Sequence, residues 1–269
     1  MAKLPVYFIP HGGGPWHVMK DAMGDPMGYG HLREYLENFG QQYSQKIKAI
    51  LVISGHWEEN IPTLQSGSNP SLFYDYYGFP DYTYHLNWSA GGNPPLAEHI
   101  ENLLKASGFV TNRDYNRGYD HGTFVPLMVS FPEPDFPVIQ LSLVNTLDPV
   151  THIQMGKALE PLRNEGVLIV GSGMSYHSMR GFMTGGTSAI KNAEKFDKWL
   201  TETISNQDIE TRNMGLINWY KAPSALECHP RSEHLVPLFV VTGAAANDEG
   251  KLDYSGTLMG LKISGYKFG

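Results

Sequence analysis

The chain has 269 residues, 41% hydrophobic and 17% charged, a composition typical of a folded globular protein rather than a disordered one. Its 27 acidic residues outnumber its 20 basic residues, and the net charge of −7 argues against a broad nucleic-acid-binding surface. A single cysteine, Cys228, excludes intramolecular disulfides, cysteine-based zinc fingers and iron–sulfur clusters.

Short apolar runs typical of buried strands alternate along the chain with amphipathic segments typical of helices. The predicted strands are 6–9, 50–54, 138–143, 167–170 and 258–263. The predicted helices are 31–43, a helix that begins at Pro94 and Pro95, a helix capped by Asp148, 189–204, and a last helix that begins near His234 with Pro237 in its first turn. This alternation predicts an α/β sandwich with helices on both faces of the sheet.

No linker, charge run or internal repeat divides the sequence, so we expect one domain over residues 1–269. Residues 1–10 lack the charged segment and the long apolar segment of a signal peptide. No apolar run approaches the roughly 20 residues that a membrane helix needs. We therefore expect a cytoplasmic protein that does not enter a membrane.

Five of the eleven histidines stand at the ends of predicted elements. His11, His56 and His177 follow predicted strands, and His121 and His234 stand where predicted helices begin. Because ligands of open α/β sheets bind at the carboxyl ends of the strands, we expect these five side chains to share one pocket. Imidazole suits zinc and ferrous iron, and such sites commonly take three protein ligands, so the pattern predicts a metal site without identifying the metal.

The other six histidines are expected to lie outside this pocket or at its edge. Three are predicted on the solvent face of helices: His31, His99 and His152. His85 lies in a tyrosine-rich stretch and is expected to pack at a rim, whereas His17 and His229 fit either the pocket or the surface. The nearby tyrosines are expected to pack within their loop, or alternatively to form an aromatic wall for a planar substrate: Tyr74, Tyr76 and Tyr77.

The string H-G-G-G at 11–14 also occurs in the oxyanion loop of lipases and esterases, whose donors are backbone N–H groups. Those enzymes need a G-x-S-x-G nucleophile elbow, and the nearest string, at 173–177, ends in histidine. The sequence therefore disfavours a serine hydrolase.

Five motifs, taken together and in order, resemble the class III (LigB-type) extradiol ring-cleaving dioxygenases, and among them the 4,5-DOPA dioxygenase family most closely. They are H-G-G-G-P at 11–15, S-G-H-W at 54–57, Y-D-H-G at 119–122, G-S-G at 171–173 with His177 following, and H-P-R-S-E-H-L-V-P-L at 229–238. The resemblance implies a single LigB-like catalytic domain, a three-layer α/β/α sandwich with a mixed, mostly parallel central sheet. It also implies a non-haem Fe(II) centre that cleaves a catechol with O₂ to a muconic semialdehyde.

The resemblance also implies roles for individual residues. His11 and His56 match two metal ligands, and His234 is the expected third ligand. Glu233 is the alternative, since the more distant protocatechuate-type members use a glutamate. Iron is expected for activity, and zinc is an alternative occupant after purification because the same ligands bind it well.

Two further histidines match residues that handle protons or substrate in the family. His177 matches the acid/base histidine, and His121 matches a second pocket histidine, with Asp120 as its expected orienting partner. Two other functions remain open: a non-catalytic metal-binding interaction protein on the same scaffold, and a zinc-dependent hydrolase. Retention of both histidines beside three candidate ligands argues against the first. A hydrolase would work without O₂ and without a redox-active metal.

Overall fold

The computed structural model describes residues 3–43 and 45–269, so residues 1, 2 and 44 of the predicted domain lie outside the described residues. Within the described part, eight strands form one sheet: β1 (Val6–Pro10), β2 (Ala49–Glu59), β3 (Thr63–Gln65), β4 (Asn112–Asp114), β5 (Val138–Val144), β6 (Val167–Gly173), β7 (Gly250–Leu258) and β8 (Leu261–Phe268). Their order across the sheet is β4-β3-β5-β2-β6-β1-β8-β7. The four central strands β5, β2, β6 and β1 are parallel, whereas β3 and β8 run antiparallel to β5 and β1.

The helices alternate with these strands along the chain. They are α1 (Pro26–Tyr43), α2 (Pro94–Ala106), α3 (His121–Ser130), α4 (Pro149–Leu159), α5 (Met179–Thr184), α6 (Thr187–Ile204), α7 (Ile209–Ile217), α8 (Ala225–Cys228) and α9 (Val236–Ala245). Among the residues that the structure describes, no helix combines the length and the apolar character needed to cross a membrane.

Neighbouring residues of β6 show that both faces of the sheet are covered. The Ser172 hydroxyl donates to the Gly122 carbonyl of α3 on one face. On the other face, a Cβ added to Gly171 would lie 2.7 Å from the Pro237 carbonyl of α9. Because successive side chains of a strand point to opposite faces, α3 and α9 belong to different layers. The predicted three-layer α/β sandwich with a mixed, mostly parallel sheet is therefore confirmed.

The central strands read as continuous apolar runs because both of their faces are buried. Every residue of β1, β5 and β6 is buried, as expected for parallel strands covered by helices on both sides. The predicted helices are also present, each within a few residues of its expected bounds, and Asp148 caps α4 by accepting a hydrogen bond from the Thr151 N–H.

Two predicted strands differ from the structure. β2 continues past Ser54 to Glu59 through a register shift between Ile53 and Glu58, so His56 lies inside the strand rather than in a following loop. The predicted closing strand 258–263 is wrong, because it spans the turn of a hairpin between β7 and β8. Met259 and Gly260 form that turn with φ values of 51° and 78°, and the apolar residues on either side belong to different strands.

The prediction that His152 faces solvent is wrong. The ring is fully buried, with Nδ1 2.7 Å from the Asp148 carbonyl oxygen. Its Nε2 accepts a hydrogen bond from the Val144 N–H at 3.0 Å. Both ring nitrogens are thus satisfied, which is why a helix can bury a histidine at this position.

Candidate active site

The five histidines at element ends come together at the carboxyl edge of the central strands. β1, β6 and β2 are neighbours in the sheet, and they place His11, His177 and His56 at this edge. The rings of His56 and His11 lie 4.9 Å apart, those of His56 and His234 4.7 Å, and those of His56 and His121 3.9 Å. The rings of His177 and His234 are 3.4 Å apart. The five predicted side chains therefore lie in one cluster.

Three of these histidines form a set that can hold a metal ion. One nitrogen from each of His11, His56 and His234 lies within 4.8 Å of the others. The Nε2 atoms of His56 and His234 are 3.1 Å apart, and the buried Nε2 of His11 has no hydrogen-bond partner among the described residues. Three imidazole nitrogens that converge in this way fit the donor set of a zinc or ferrous iron site.

The opposite nitrogen of each ring faces an oxygen acceptor. The Nδ1 atom of His11 lies 2.6 Å from the Gly12 carbonyl oxygen, and that of His234 lies 2.9 Å from Glu233 Oε1. The Nδ1 atom of His56 lies 3.3 Å from Asp75 Oδ2. Such outer partners hold the proton on Nδ1 and leave the Nε2 lone pair for a metal.

The electrostatic environment keeps these three rings neutral. Burial, and then the charge of neighbouring histidines, lowers the pKa of His11, His56 and His234 well below 6.5. Because a metal binds the neutral imidazole, the rings are in their binding form at neutral pH.

Glu233 connects two of the predicted site residues. Its Oε1 atom faces His234, as above, and also lies 3.2 Å from Nδ1 of His177. Burial alone would raise the pKa of Glu233, but the hydrogen bond from His177 and the charges of His177 and Arg231 lower it overall. The carboxylate is therefore ionised at neutral pH and accepts from both imidazoles.

Asp75 is a site residue that the sequence prediction missed. Its Oδ1 atom accepts a hydrogen bond from the His121 backbone N–H at 2.8 Å and lies 2.8 Å from His121 Nδ1. Asp75 precedes His121 by 46 residues and lies in the long loop between β3 and α2. Its position between Tyr74 and Tyr76 is the one indication in the sequence, because these tyrosines fit an aromatic wall for a planar substrate.

The prediction that Asp120 orients His121 is wrong. Asp120 is the N-cap of α3 and accepts a hydrogen bond from the Thr123 N–H at 3.1 Å. Its carboxylate also accepts from the Ser54 hydroxyl and the Gln140 amide, each at 2.7 Å. Because a capping side chain folds back toward its own helix, the carboxylate points away from the ring of the next residue.

Steric contacts explain why glycine stands at two positions beside these histidines. Gly12 has a φ of +75°, and a Cβ there would lie 2.6 Å from Nε1 of Trp16, the atom that donates to the His11 carbonyl at 2.8 Å. A Cβ on Gly122 would lie 2.8 Å from the ring of His56. The H-G-G-G segment therefore shapes the backbone around His11, and its resemblance to an oxyanion loop is incidental.

The two histidines left open by the sequence lie inside the protein. His229 is fully buried and its Nε2 lies 2.9 Å from the Ser175 carbonyl oxygen, two residues before His177. His17 packs its ring against Phe124. Burial lowers the pKa of both rings to about 4.

The remaining candidates do not join the histidine cluster as ligands or nucleophiles. Cys228 is buried, and burial raises the pKa of its thiol to about 12, which leaves no reactive thiolate at neutral pH. Tyr74 and Tyr76 pack within their loop, and the ring of Tyr76 lies 5.8 Å from that of His121. Tyr77 is exposed. His31 and His85 are also exposed, and Nε2 of His85 lies 3.3 Å from Asp81 Oδ2, so His85 does not pack at a rim.

Comparisons with known proteins identify the family of the chain. A family model described as the catalytic LigB subunit of aromatic ring-opening dioxygenase matches residues 5–261. The 4,5-DOPA dioxygenase extradiol of Beta vulgaris is 39% identical over 97% of this chain and 95% of its own length. The dioxygenase tasH of Hapsidospora irregularis is 34% identical over 100% of this chain and 86% of its own length.

A solved structure extends the comparison to the fold. The crystal structure of an Escherichia coli K12 protein, described as uncharacterized, has a TM-score of 0.80 and 25% sequence identity to this chain. It covers 99% of this chain and 100% of its own. The chain therefore belongs to the LigB family of aromatic ring-opening dioxygenases and is an extradiol ring-cleavage dioxygenase.

Proposed function

We propose that this dioxygenase cleaves a catechol with O₂ to a muconic semialdehyde, with Fe(II) held by His11, His56 and His234 in a single catalytic domain. One observation carries the proposal. One nitrogen of each of the three rings converges with the others, while the three Nδ1 atoms face oxygen acceptors. The Nε2 atoms of His56 and His234 lie 3.1 Å apart, so one cation beside them could accept a lone pair from each.

Bound iron would supply Lewis acidity toward the catechol hydroxyls and the redox chemistry needed to activate O₂. Three neutral imidazoles add no negative charge, so the ion and its three ligands together would carry a charge of +2. A higher site charge favours a doubly deprotonated catecholate over a singly deprotonated one.

His234, rather than Glu233, is the third ligand in this proposal. The Oε1 atom of Glu233 is already within reach of two imidazole Nδ1 atoms, at 2.9 Å for His234 and 3.2 Å for His177. A carboxylate in that position supports the orientation of a ligating histidine, as in other carboxylate–histidine–metal arrangements.

His177 accepts the second catechol proton and returns it later in the reaction. Its Nδ1 atom faces Glu233, so its Nε2 atom is the one free to take a proton from the substrate. Imidazole suits this role because it can both accept and release a proton near neutral pH. His121, whose ring lies 3.9 Å from that of His56, forms a hydrogen bond with a substrate or dioxygen oxygen.

The first substrate to test is a DOPA-like catechol, since several relatives carry the name 4,5-DOPA dioxygenase extradiol. The experiment measures oxygen uptake by anaerobically Fe(II)-loaded protein over a panel of catechols, with absorbance recorded for a yellow semialdehyde. The proposal predicts uptake coupled to the yellow product, and neither signal from the zinc-loaded protein.

Oxygen uptake without ring-cleaved product, or equal turnover by the zinc form, would contradict it. Ester hydrolysis by the zinc form under anaerobic conditions would instead favour the zinc-dependent hydrolase. Binding of metal and catechol with no turnover of any kind would favour a non-catalytic binding protein.

A further inference from the structure

Apart from His11, the cluster has four histidines, and each of two carboxylates lies beside two of them. Glu233 faces Nδ1 of the proposed ligand His234 and Nδ1 of the proposed base His177. Asp75 faces Nδ1 of the proposed ligand His56 and Nδ1 of the second pocket histidine, His121. Each carboxylate thus contacts one proposed metal ligand and one histidine that does not ligate in the proposal.

The two carboxylates come from unrelated parts of the chain. Glu233 is adjacent in sequence to the ligand that it orients, whereas Asp75 reaches His56 and His121 from the long loop between β3 and α2. The Asp75 side chain is 14% exposed, and its Oδ1 also accepts the His121 backbone N–H at 2.8 Å. The loop is therefore tied to the first residue of α3 through this side chain.

A carboxylate in this position decides which ring nitrogen carries the proton. An ionised carboxylate only accepts hydrogen bonds, so an imidazole nitrogen beside it is the protonated one. For His56 this leaves Nε2, the atom directed at the proposed metal, with a lone pair. For His121 it leaves Nε2 unprotonated on the side away from Asp75.

We propose that Asp75 is a positioning residue that sets the tautomer of two histidines at once, the metal ligand His56 and the pocket residue His121. This role rests on the proposed metal-dependent ring cleavage. It adds to the proposed site a residue, Asp75, that acts through two histidines and does not touch the substrate. One consequence follows for His121. Its Nε2 accepts a hydrogen bond from a substrate hydroxyl when the ring is neutral, and it donates to a substrate or dioxygen oxygen only after it takes up a proton.

The test variant is Asp75→Asn. The amide oxygen of asparagine still accepts the His121 backbone N–H, so a purely structural contact with α3 is kept. The amide nitrogen, however, is a donor and cannot accept from a second imidazole. The matched control is Asp81→Asn, which removes a carboxylate from the same loop that also pairs with a histidine, His85, but is 93% exposed.

The first readout is the tautomer of both rings, measured by ¹⁵N NMR on the full-length chain with labelled histidine, zinc-loaded for His121 and metal-free for His56, and assigned with His121→Gln and His56→Gln. We expect the proton on Nδ1 of both rings in the wild type and in Asp81→Asn. In Asp75→Asn the amide oxygen should keep the His121 tautomer, because Oδ1 meets both the backbone N–H and Nδ1 of His121, whereas His56, which faces the other oxygen, should lose its single tautomer. A wild-type His121 that carries its proton on Nε2 would overturn the proposal without any variant, even if Asp75→Asn fails to fold.

The second readout is zinc affinity by chelator competition. We expect a decrease of about 10- to 100-fold in Asp75→Asn and no change in Asp81→Asn, the range typical of lost outer partners of ligating histidines. At saturating Fe(II), kcat of Asp75→Asn should fall by a similar factor with a smaller change in KM. If the His56 tautomer and the zinc affinity of Asp75→Asn are both the same as in the wild type, the proposal is refuted.

These readouts separate the two proposals. Tautomer and affinity do not depend on turnover, so they report on Asp75 even if no catechol is cleaved. If the wild type binds no zinc, the metal-site proposal fails, and the His121 tautomer in the metal-free chain still tests Asp75.

Discussion

The imidazole of His177 lies flat against that of His234, with ring centroids 3.4 Å apart and planes inclined by only 16°. Both rings face the same oxygen of Glu233 through Nδ1. The proposed base is therefore packed onto a proposed ligand without belonging to the set of three converging nitrogens. The proposed roles thus assign proton transfer and metal binding to different histidines, and the two can be tested independently.

Replacing His177 with Ala should greatly reduce turnover without reducing the amount of iron that the protein binds. The variant keeps the three converging imidazoles, so we expect wild-type iron content after anaerobic loading. Loss of a general acid/base group should lower kcat by about 10²- to 10⁴-fold. Iron analysis and oxygen uptake measure the two effects, with the exposed His31→Ala as control. Loss of iron from His177→Ala would show that His177 is itself a ligand.

Glu233→Gln distinguishes an outer partner from a ligand. If Glu233 only orients His234, its amide substitute should weaken Fe(II) binding by about 10- to 100-fold, and iron should still bind at high concentration. His11→Ala, which removes a proposed ligand, should lose iron far more severely. Equal loss in the two variants, measured by equilibrium dialysis against Fe(II), would identify Glu233 as a ligand.

Gly156→Ala should destabilise the contact between α4 and α9. A Cβ on Gly156 would collide with the Val240 carbonyl of α9, and backbone there cannot move without separating the helices. Overpacking of this kind typically costs 1–3 kcal/mol or more in the free energy of unfolding. The control is Gly30→Ala in α1, where nothing lies within 4 Å of the added Cβ.

The control variant Gly30→Ala should leave the free energy of unfolding unchanged or raise it by up to about 1 kcal/mol, because alanine has a higher helix propensity than glycine. Urea unfolding of the two variants against the wild type measures the difference. Equal stability of the two variants would mean that the helices are not in close contact.

Acidification should destabilise the protein in part through His229. Burial lowers its pKa to about 4, against 6.5 in an unfolded chain. Between these values the unfolded state binds a proton that the folded state does not, so stability falls as pH decreases from 6.5 to 4 and changes no further below 4.

From pH 7 to pH 5 this contribution is about 2 kcal/mol. His229→Gln keeps a donor for the Ser175 carbonyl and removes the titrating ring. Urea unfolding of the metal-free chains at both pH values should show a smaller loss in the variant by about that amount. An identical loss would mean that His229 titrates normally in the folded protein.

Much of the fold follows from sequence patterns because its central strands are buried on both faces. Continuous apolar runs marked four of the parallel strands. The edge hairpin was missed because β7 has one exposed face and contributes no apolar run. His152 was misplaced because its burial depends on a hydrogen bond from the Val144 N–H, outside its own helix.

The site was predictable where it depends on strand ends and not where it depends on a long loop. The ends of parallel strands meet at one edge of a sheet, so the convergence of His11, His56 and His177 could be expected from the order of elements. The position of Asp75 could not be predicted in this way, because only tertiary packing brings its loop to His121. Asp120 was adjacent in sequence, but capping of α3 directs its carboxylate elsewhere.

In the proposed site, a ferrous ion is held by three imidazole ligands. X-ray absorption at the iron edge of the anaerobic, Fe(II)-loaded chain counts imidazole ligands directly, with His234→Ala as the comparison. We expect three imidazoles in the wild type and two in the variant. Two imidazoles and a carboxylate in the wild type, unchanged in His234→Ala, would contradict it.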